Sequence, residues 1–284
     1  VWWLVGILGV LVAWGLRSAH ALLTPERRAI PPPHPLPHFS RHQLTAPDGP
    51  FELWLLEPRA APRGLVFLCH GYYANRYQVL GIAECLRGRG YAVTLFDLRG
   101  HGERTGRSTL GWRDADDALL ALDWARARYG ERIPVAAMGL SLGASVACRA
   151  AARATGVQAV VLDSVYPRLF PIIQRGITER YRVPAWPLAW ITWAAVQVAL
   201  RAPLGEADPA ALAPRMRQPL LAIHGGGDRR VPIAMGQEVF DRWGGPKERW
   251  TEPDVAHVGM FDRDPKRYCD RVGGFLDRAL GAPA

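Results

Sequence analysis

Lysine is nearly missing from this chain. Of 35 basic residues only Lys247 and Lys266 are lysine, and the arginines fall singly or in pairs (Arg17, Arg27, Arg28, Arg126, Arg128, Arg229, Arg230) among acidic neighbours. No basic run of the kind that tracks a phosphate backbone is present, so the net charge of +9 does not point to a nucleic-acid partner. Cysteine is scarce as well. Cys69, Cys85, Cys148 and Cys269 have neither metal-ligand spacing nor a paired framework, and the expectation is buried thiols in place of a disulfide scaffold. No internal repeat is visible. With 284 residues, 49% of them hydrophobic and 21% charged, disorder and a disulfide-stapled mini-domain are excluded. One globular domain with appendages is expected.

What the chain does have is apolar sequence outside any obvious core. Val1 to Leu16, VWWLVGILGVLVAWGL, carries no charge and places Trp2, Trp3 and Trp14 toward its two ends, where indoles favour a membrane interface. At about 1.5 Å per residue such a helix just crosses a hydrocarbon core of about 30 Å. Residues 1–23 therefore read as a single transmembrane anchor. Two other readings stay open: a signal peptide cleaved at Ala19-His20-Ala21, which would make the protein secreted or periplasmic, and a buried core helix. If the chain start is complete, Arg17, Arg27 and Arg28 place the bulk of the protein on the cytoplasmic face; an upstream arginine pair would reverse this. An anchor of this kind is expected to be separable, so that deleting residues 1 to 30 releases soluble, active protein. Residues 24–38, with PPPHPLP at Pro31 to Pro37, read as a stiff polyproline spacer.

From residue 39 to 284 short apolar runs alternate with amphipathic helices. Phe39 to Thr45 and Phe51 to Glu57 flank Pro47-Asp48-Gly49 as a hairpin. Gly64 to His70, Tyr91 to Asp97, Ile133 to Met138, Val157 to Leu162 and Leu220 to His224 are apolar strands. Helices are expected near Tyr77 to Arg87, Asp114 to Tyr129, Leu142 to Ala154, Ile233 to Trp243 and Pro265 to Leu280. Strands apolar throughout and alternating with helices imply an α/β fold: a mainly parallel sheet covered on both faces.

The chemistry sits in Gly139-Leu140-Ser141-Leu142-Gly143, after a strand and before a helix. That context turns G-x-S-x-G into a sharp turn that exposes the serine oxygen. A serine hydroxyl needs a base, and the base needs an acid to set its tautomer. Asp228, after the strand LLAIHGGGD, and His257, before the last helix, follow in the order Ser141, Asp228, His257. Asp254 is the nearer rival for the acid, but Asp228 follows a buried strand. Asp97 and His101 read as architectural, and Asp163 as a satisfied carboxylate at a strand end.

With CHGYYAN at Cys69 to Asn75, FDLRGHG at Phe96 to Gly102, GLSLG, HGGGDRRVP at His224 to Pro232 and AHVGM, the chain resembles the α/β-hydrolase superfamily, in its lysophospholipase, monoacylglycerol-lipase and serine-aminopeptidase-like branch. The resemblance spans Gly64 to about Met260. It implies an α/β-hydrolase fold with an inserted cap at about 165–216, no cofactor and no metal, and an oxyanion hole built from the backbone N–H groups of Tyr72 and Leu142. The chain departs from the branch in Glu103-Arg104-Thr105, where a serine often follows RGHG.

Inside the cap, Val183 to Leu200 holds Trp186, Trp190 and Trp193 and no charge, while Pro184 and Pro187 leave about thirteen helical residues, too few to cross a bilayer. Either the tryptophans line one face of a helix packed over a pocket, or that face dips into the bilayer and admits an acyl chain. The expected activity is a membrane-associated serine hydrolase acting on carboxylic esters, small or lipid-like, through an acyl-enzyme. A serine aminopeptidase-like peptidase, an acyltransferase on the same fold and a non-catalytic tethered binding protein are the alternatives. A serine nucleophile excludes the aspartate-dependent dehalogenase and epoxide-hydrolase branches. Natural substrate, membrane side and oligomeric state are not legible from the residues.

Overall fold

The structure is a computed structural model that describes residues 2–27 and 38–281, so the Pro31 to Pro37 spacer lies outside the described residues. Helix α1 (Trp2–Leu23) comes first, followed by the hairpin β1 (Ser40–Ala46) and β2 (Gly49–Leu56), then β3 (Gly64–Cys69), α2 (Leu80–Gly88) and β4 (Tyr91–Phe96). Next are α3 (Asp114–Tyr129), β5 (Val135–Leu140), α4 (Leu142–Arg153) and β6 (Val157–Asp163). Between β6 and β7 stand α5 (Leu169–Tyr181), α6 (Leu188–Leu200) and the single turn α7 (Pro209–Leu212). The chain closes with β7 (Leu220–Gly225), α8 (Ile233–Arg242), β8 (Lys247–Glu252), α9 (Met260–Arg263) and α10 (Pro265–Ala279).

The eight strands form one sheet in the order β1-β2-β4-β3-β5-β6-β7-β8, antiparallel at β1/β2 and β2/β4 and parallel from β4 to β8. The parallel strands β3, β4, β5 and β7 are buried along their whole length, as their unbroken apolar sequences require. One core joins the sheet to α2 and α10, the other joins it to α3, α4 and α8. Strand β8 was not anticipated. KERWTE reads as polar because it is an edge strand, with only Trp250 buried.

The cysteines divide. Cys69 and Cys148 are buried free thiols pushed up by burial, Cys148 to about 12. Cys85 and Cys269 correct the expectation of four thiols, because they are joined as a disulfide. Their 184-residue separation gives no local signal; α2 and α10 become neighbours only by packing on the same face of the sheet.

Helix α1 has the length and composition to cross a membrane, but it is not free-standing. Residues 2 to 10 are exposed on all sides, whereas Leu11, Trp14, Gly15, Ser18, Ala19, Leu22 and Leu23 make a covered stripe at three- and four-residue spacing. That stripe lies on α6. A Cβ on Gly15 would come within 2.3 Å of Ile191 Cγ2, so the glycine sets the close approach of the two helices. The Trp14 ring meets Tyr181 edge-on at 5.2 Å, and Ala19 and Leu23 belong to the main core. Alkylation of the denatured, unreduced protein is expected to tag two of the four cysteines, and all four after reduction. Four tags before reduction would rule out the α2–α10 link.

Candidate active site

Strand β5 ends at Leu140 and α4 begins at Leu142, which leaves Ser141 alone in the turn. Its backbone sits at φ 53° and ψ −113°, a conformation L residues avoid. The flanking glycines are required sterically. A Cβ on Gly139 would lie 2.1 Å from Gly143 O, and one on Gly143 would lie 2.2 Å from Cys69 O.

At the C-terminal ends of the parallel strands the structure brings Ser141, His257 and Asp228 together. Ser141 Oγ is 2.9 Å from His257 Nε2, and His257 Nδ1 is 2.6 Å from Asp228 Oδ2. Since a carboxylate accepts, Nδ1–H donates to Asp228 and Nε2 is left to accept from the serine hydroxyl. Asp228 is buried, and its Oδ1 accepts from the N–H groups of Arg230 and Val231 at 2.9 and 2.8 Å. Burial alone would push its carboxyl up. Hydrogen bonds from His224, His257 and the Val231 N–H outweigh that and hold it well below the usual carboxylate range. Asp254 is exposed, and the histidine turns to Asp228.

The loop opposite the serine is fixed by His70. With its ring fully buried, Nδ1–H donates to Gly71 O at 2.8 Å and Nε2 accepts from Leu98 N–H at 2.9 Å. Burial lowers this imidazole to about 4, against the pull of Asp97, so it stays neutral at pH 7. A Cβ on Gly71 would be 3.6 Å from Ser141 Cβ, which puts the start of this loop against Ser141. Among the described residues neither the Tyr72 nor the Leu142 N–H has a protein acceptor. Asp97 accepts from the N–H groups of Arg76 and Glu103, and His101 Nδ1 bonds Arg99 O, so both act as loop struts. The departure at Glu103-Arg104 has a structural use. Glu103 pairs with Arg76, while Arg104 pairs at 2.6 Å with buried Asp117 and covers the Phe51 ring.

Residues 65–271 match the sequence profile of the alpha/beta hydrolase family. The chain belongs to this family. Among curated proteins it is similar to the uncharacterized protein YqkD of Bacillus subtilis, 23% identical over 223 residues, 78% of this chain and 73% of that one. It is 30% identical over 214 residues to the Mycobacterium tuberculosis protein Rv2307c, 74% and 69% of the two chains. Among solved structures, the Pyrococcus furiosus esterase Pf2001 superposes with a TM-score of 0.73 over 91% of this chain and 98% of its own, at 24% identity. A Pyrococcus horikoshii acylaminoacyl peptidase superposes with a TM-score of 0.67 over 86% and 42%, at 16% identity. At these identities the likeness to solved structures is one of fold.

Two supports of this hydrolase site escape sequence reasoning. His224 donates to Val231 O at 2.8 Å and lies 3.5 Å from Asp228 Oδ2, so the acid stands between two histidines. Beneath His257, Tyr268 O–H and Ser164 O–H both donate to the fully buried Asp163, at 2.9 Å each, and Ser164 Oγ accepts from Val258 N–H at 3.2 Å. Tyr268 lies 105 residues from Asp163, a distance no local pattern bridges. A charged groove of 460 Å³ between β8 and α10, lined by Glu248, Lys266, Asp270 and Arg278, has these charges already paired with one another.

Burial pushes Asp163 up to about 6, against the hydrogen bonds from Ser164 and Tyr268. The folded state therefore holds this proton more tightly than the unfolded chain, and its contribution to stability is lost as pH rises from about 4 through 6. Asp163→Asn removes that slope. From pH 4 to 7 the variant is expected to gain on the order of 3 kcal/mol relative to wild type, read from paired urea titrations. A constant difference would refute the raised pKa.

Proposed function

We propose that this protein is a membrane-associated serine hydrolase that cleaves carboxylic esters with lipid-like acyl groups. The observation that carries this reading is the relay Asp228–His257–Ser141 at 2.6 and 2.9 Å; the Tyr72 and Leu142 N–H groups, which have no protein acceptor among the described residues, support it. Ser141 Oγ attacks the ester carbonyl as His257 Nε2 takes its proton. Charge gathers on the carbonyl oxygen, where the Tyr72 and Leu142 N–H groups donate. His257 returns the proton to the departing alcohol, and water, deprotonated by the same imidazole, releases the acid. Asp228 keeps the tautomer in place and stabilises the imidazolium.

A peptidase that selects a free amino terminus needs an unpaired acidic group near the mouth. Glu179 is engaged by Arg175 at 3.0 Å, and the same guanidinium donates to Arg229 O beside the catalytic acid. This pairing removes Glu179 as a receptor for a free amino terminus and leaves exposed Glu206 as the cap carboxylate a peptidase would use. Acyl transfer to an alcohol uses the same machinery, and product analysis with added alcohol separates it from hydrolysis.

In this reading the chain divides into an anchor (1–23), a spacer (24–38) and a hydrolase domain (39–284) whose cap spans about 165–216. Because α1 lies along α6, seating α1 in lipid brings the outer face of α6 to the same level. Trp190 and Val198 are exposed there, and exposed Arg17, Arg182 and Arg201 flank the apolar surface as partners for anionic headgroups. Trp186 precedes α6, so only Trp190 and Trp193 share a helical face, around Phe170. The buried position of Ala19 supports a retained helix over a cleaved signal. The Cys85–Cys269 bond favours the oxidising side of that membrane, against the arginines that follow α1. Four free thiols in protein trapped from its native membrane would return the body to the cytoplasmic face.

A fluorophosphonate probe is expected to label the wild-type protein and not Ser141→Ala, with Asp228→Asn and His257→Ala slowed by at least about 10³-fold. An unlabelled wild type in native membranes would sink the hydrolase reading, and labelling of Ser141→Ala would move the nucleophile. For the membrane seat, Trp190→Glu is expected to lower binding to anionic vesicles severalfold. Unchanged sedimentation with the vesicles would remove α6 from the lipid contact.

A further inference from the structure

We propose that α1 is a working part of the catalytic site, with Leu22 a positioning residue for the oxyanion loop. The proposal rests on the hydrolase reading above. Helix C-termini leave carbonyl groups without intrahelical partners, and those of α1 are satisfied by the catalytic body. Tyr72 O–H donates to Leu22 O at 2.8 Å, and Ser108 N–H donates to Leu23 O at 2.8 Å. Tyr72 is the residue whose backbone N–H the reading above assigns to the oxyanion. Its ring is packed between His101, at 5.2 Å, and Tyr73, at 4.3 Å, and its hydroxyl ends on α1.

The second tie reaches the neighbouring loop, after β4, which touches Tyr72 through His101. Ser108 N lies where a Cβ on Gly100 would be, 2.5 Å away, and Gly100 precedes the His101 that packs on Tyr72. The far flank of α1 is fixed by the Gly15 contact with Ile191 and by Trp14 against Tyr181. Helix α1 thus bridges α6 and the oxyanion loop with one face and offers exposed Leu4, Leu8, Val12 and Leu16 on the remainder. Lipid and catalytic body hold different faces of one helix. Positioning of the Tyr72 N–H depends on α1 staying docked, so the anchor is not a detachable tether.

The test uses the full chain in phosphatidylglycerol-containing vesicles with a p-nitrophenyl ester of medium chain length. Tyr72→Phe keeps the ring and backbone and removes the tie. Its kcat is expected to fall about tenfold with KM within about twofold, because a misplaced oxyanion donor acts on the transition state. Gly15→Leu, which wedges α1 from α6, is expected to lower kcat in the same direction. The double variant should be no slower than the slower single one, as two ways of breaking one connection do not add. Wild-type kcat in Tyr72→Phe, or a loss in the double variant equal to the product of the single losses, overturns the proposal. If Gly15→Leu fails to fold, Tyr72→Phe alone decides. Wild-type turnover in the same assay keeps the two readings apart: an inactive wild type defeats the hydrolase reading, and an active wild type matched by Tyr72→Phe defeats only this one.

Discussion

The backbone of one residue constrains the rest of the site. Ser141 is held at φ 53° because β5 and α4 meet with no side chain between them, and Gly143 lies so close to the Cys69 and His70 carbonyls that no Cβ fits. Holding an L residue there costs about 1–3 kcal/mol, which the packing of strand and helix has to offset. The outcome is a hydroxyl raised above the C-terminal ends of the strands, with the first N–H of α4 left without an intrahelical acceptor. The fold thus presents the Ser141 hydroxyl and the Leu142 N–H through a single turn. Their spacing is independent of mobile side chains.

Electrostatics then treats three buried groups around that turn differently. Asp228 is buried, yet it accepts enough hydrogen bonds to remain a carboxylate, so it can fix the His257 tautomer over a wide pH range. His70, equally buried, has burial as its dominant influence and stays neutral, which suits a strut that must donate at one nitrogen and accept at the other. Asp163 is a third case. Two hydroxyl donors hold it beneath the histidine loop without a cation in contact, so burial wins and its proton comes off near neutrality. Three buried titratable groups within one sheet edge behave differently because their partners differ.

The parts of this arrangement that were legible in the sequence are the local ones. The apolar runs of β3 to β7 and the glycines around Ser141 report backbone requirements met within a few residues, and the order Ser141, Asp228, His257 is read from two strand ends and a position just before the last helix. Strand β8 was hidden because an edge strand with one buried residue carries no apolar run. The disulfide, the Tyr268–Asp163 bond and the Ser164–Val258 bond were hidden for another reason: each joins elements far apart in the chain, and only the fold brings them together.

Helix α1 shows why composition alone misleads at a chain end. Its apolar run from Trp2 to Leu16 satisfies a bilayer and a protein core equally well, so hydropathy cannot tell an anchor from a packed helix. The discriminating residues are the small ones. Gly15, Ser18 and Ala19 lie on one face, and small residues there permit a neighbouring helix to approach where leucine would hold it off. A helix surrounded only by lipid has no need of such a face. Once α6 fills it, the last turn of α1 is carried to Tyr72, and the apolar segment that first suggested a tether becomes a wall of the site.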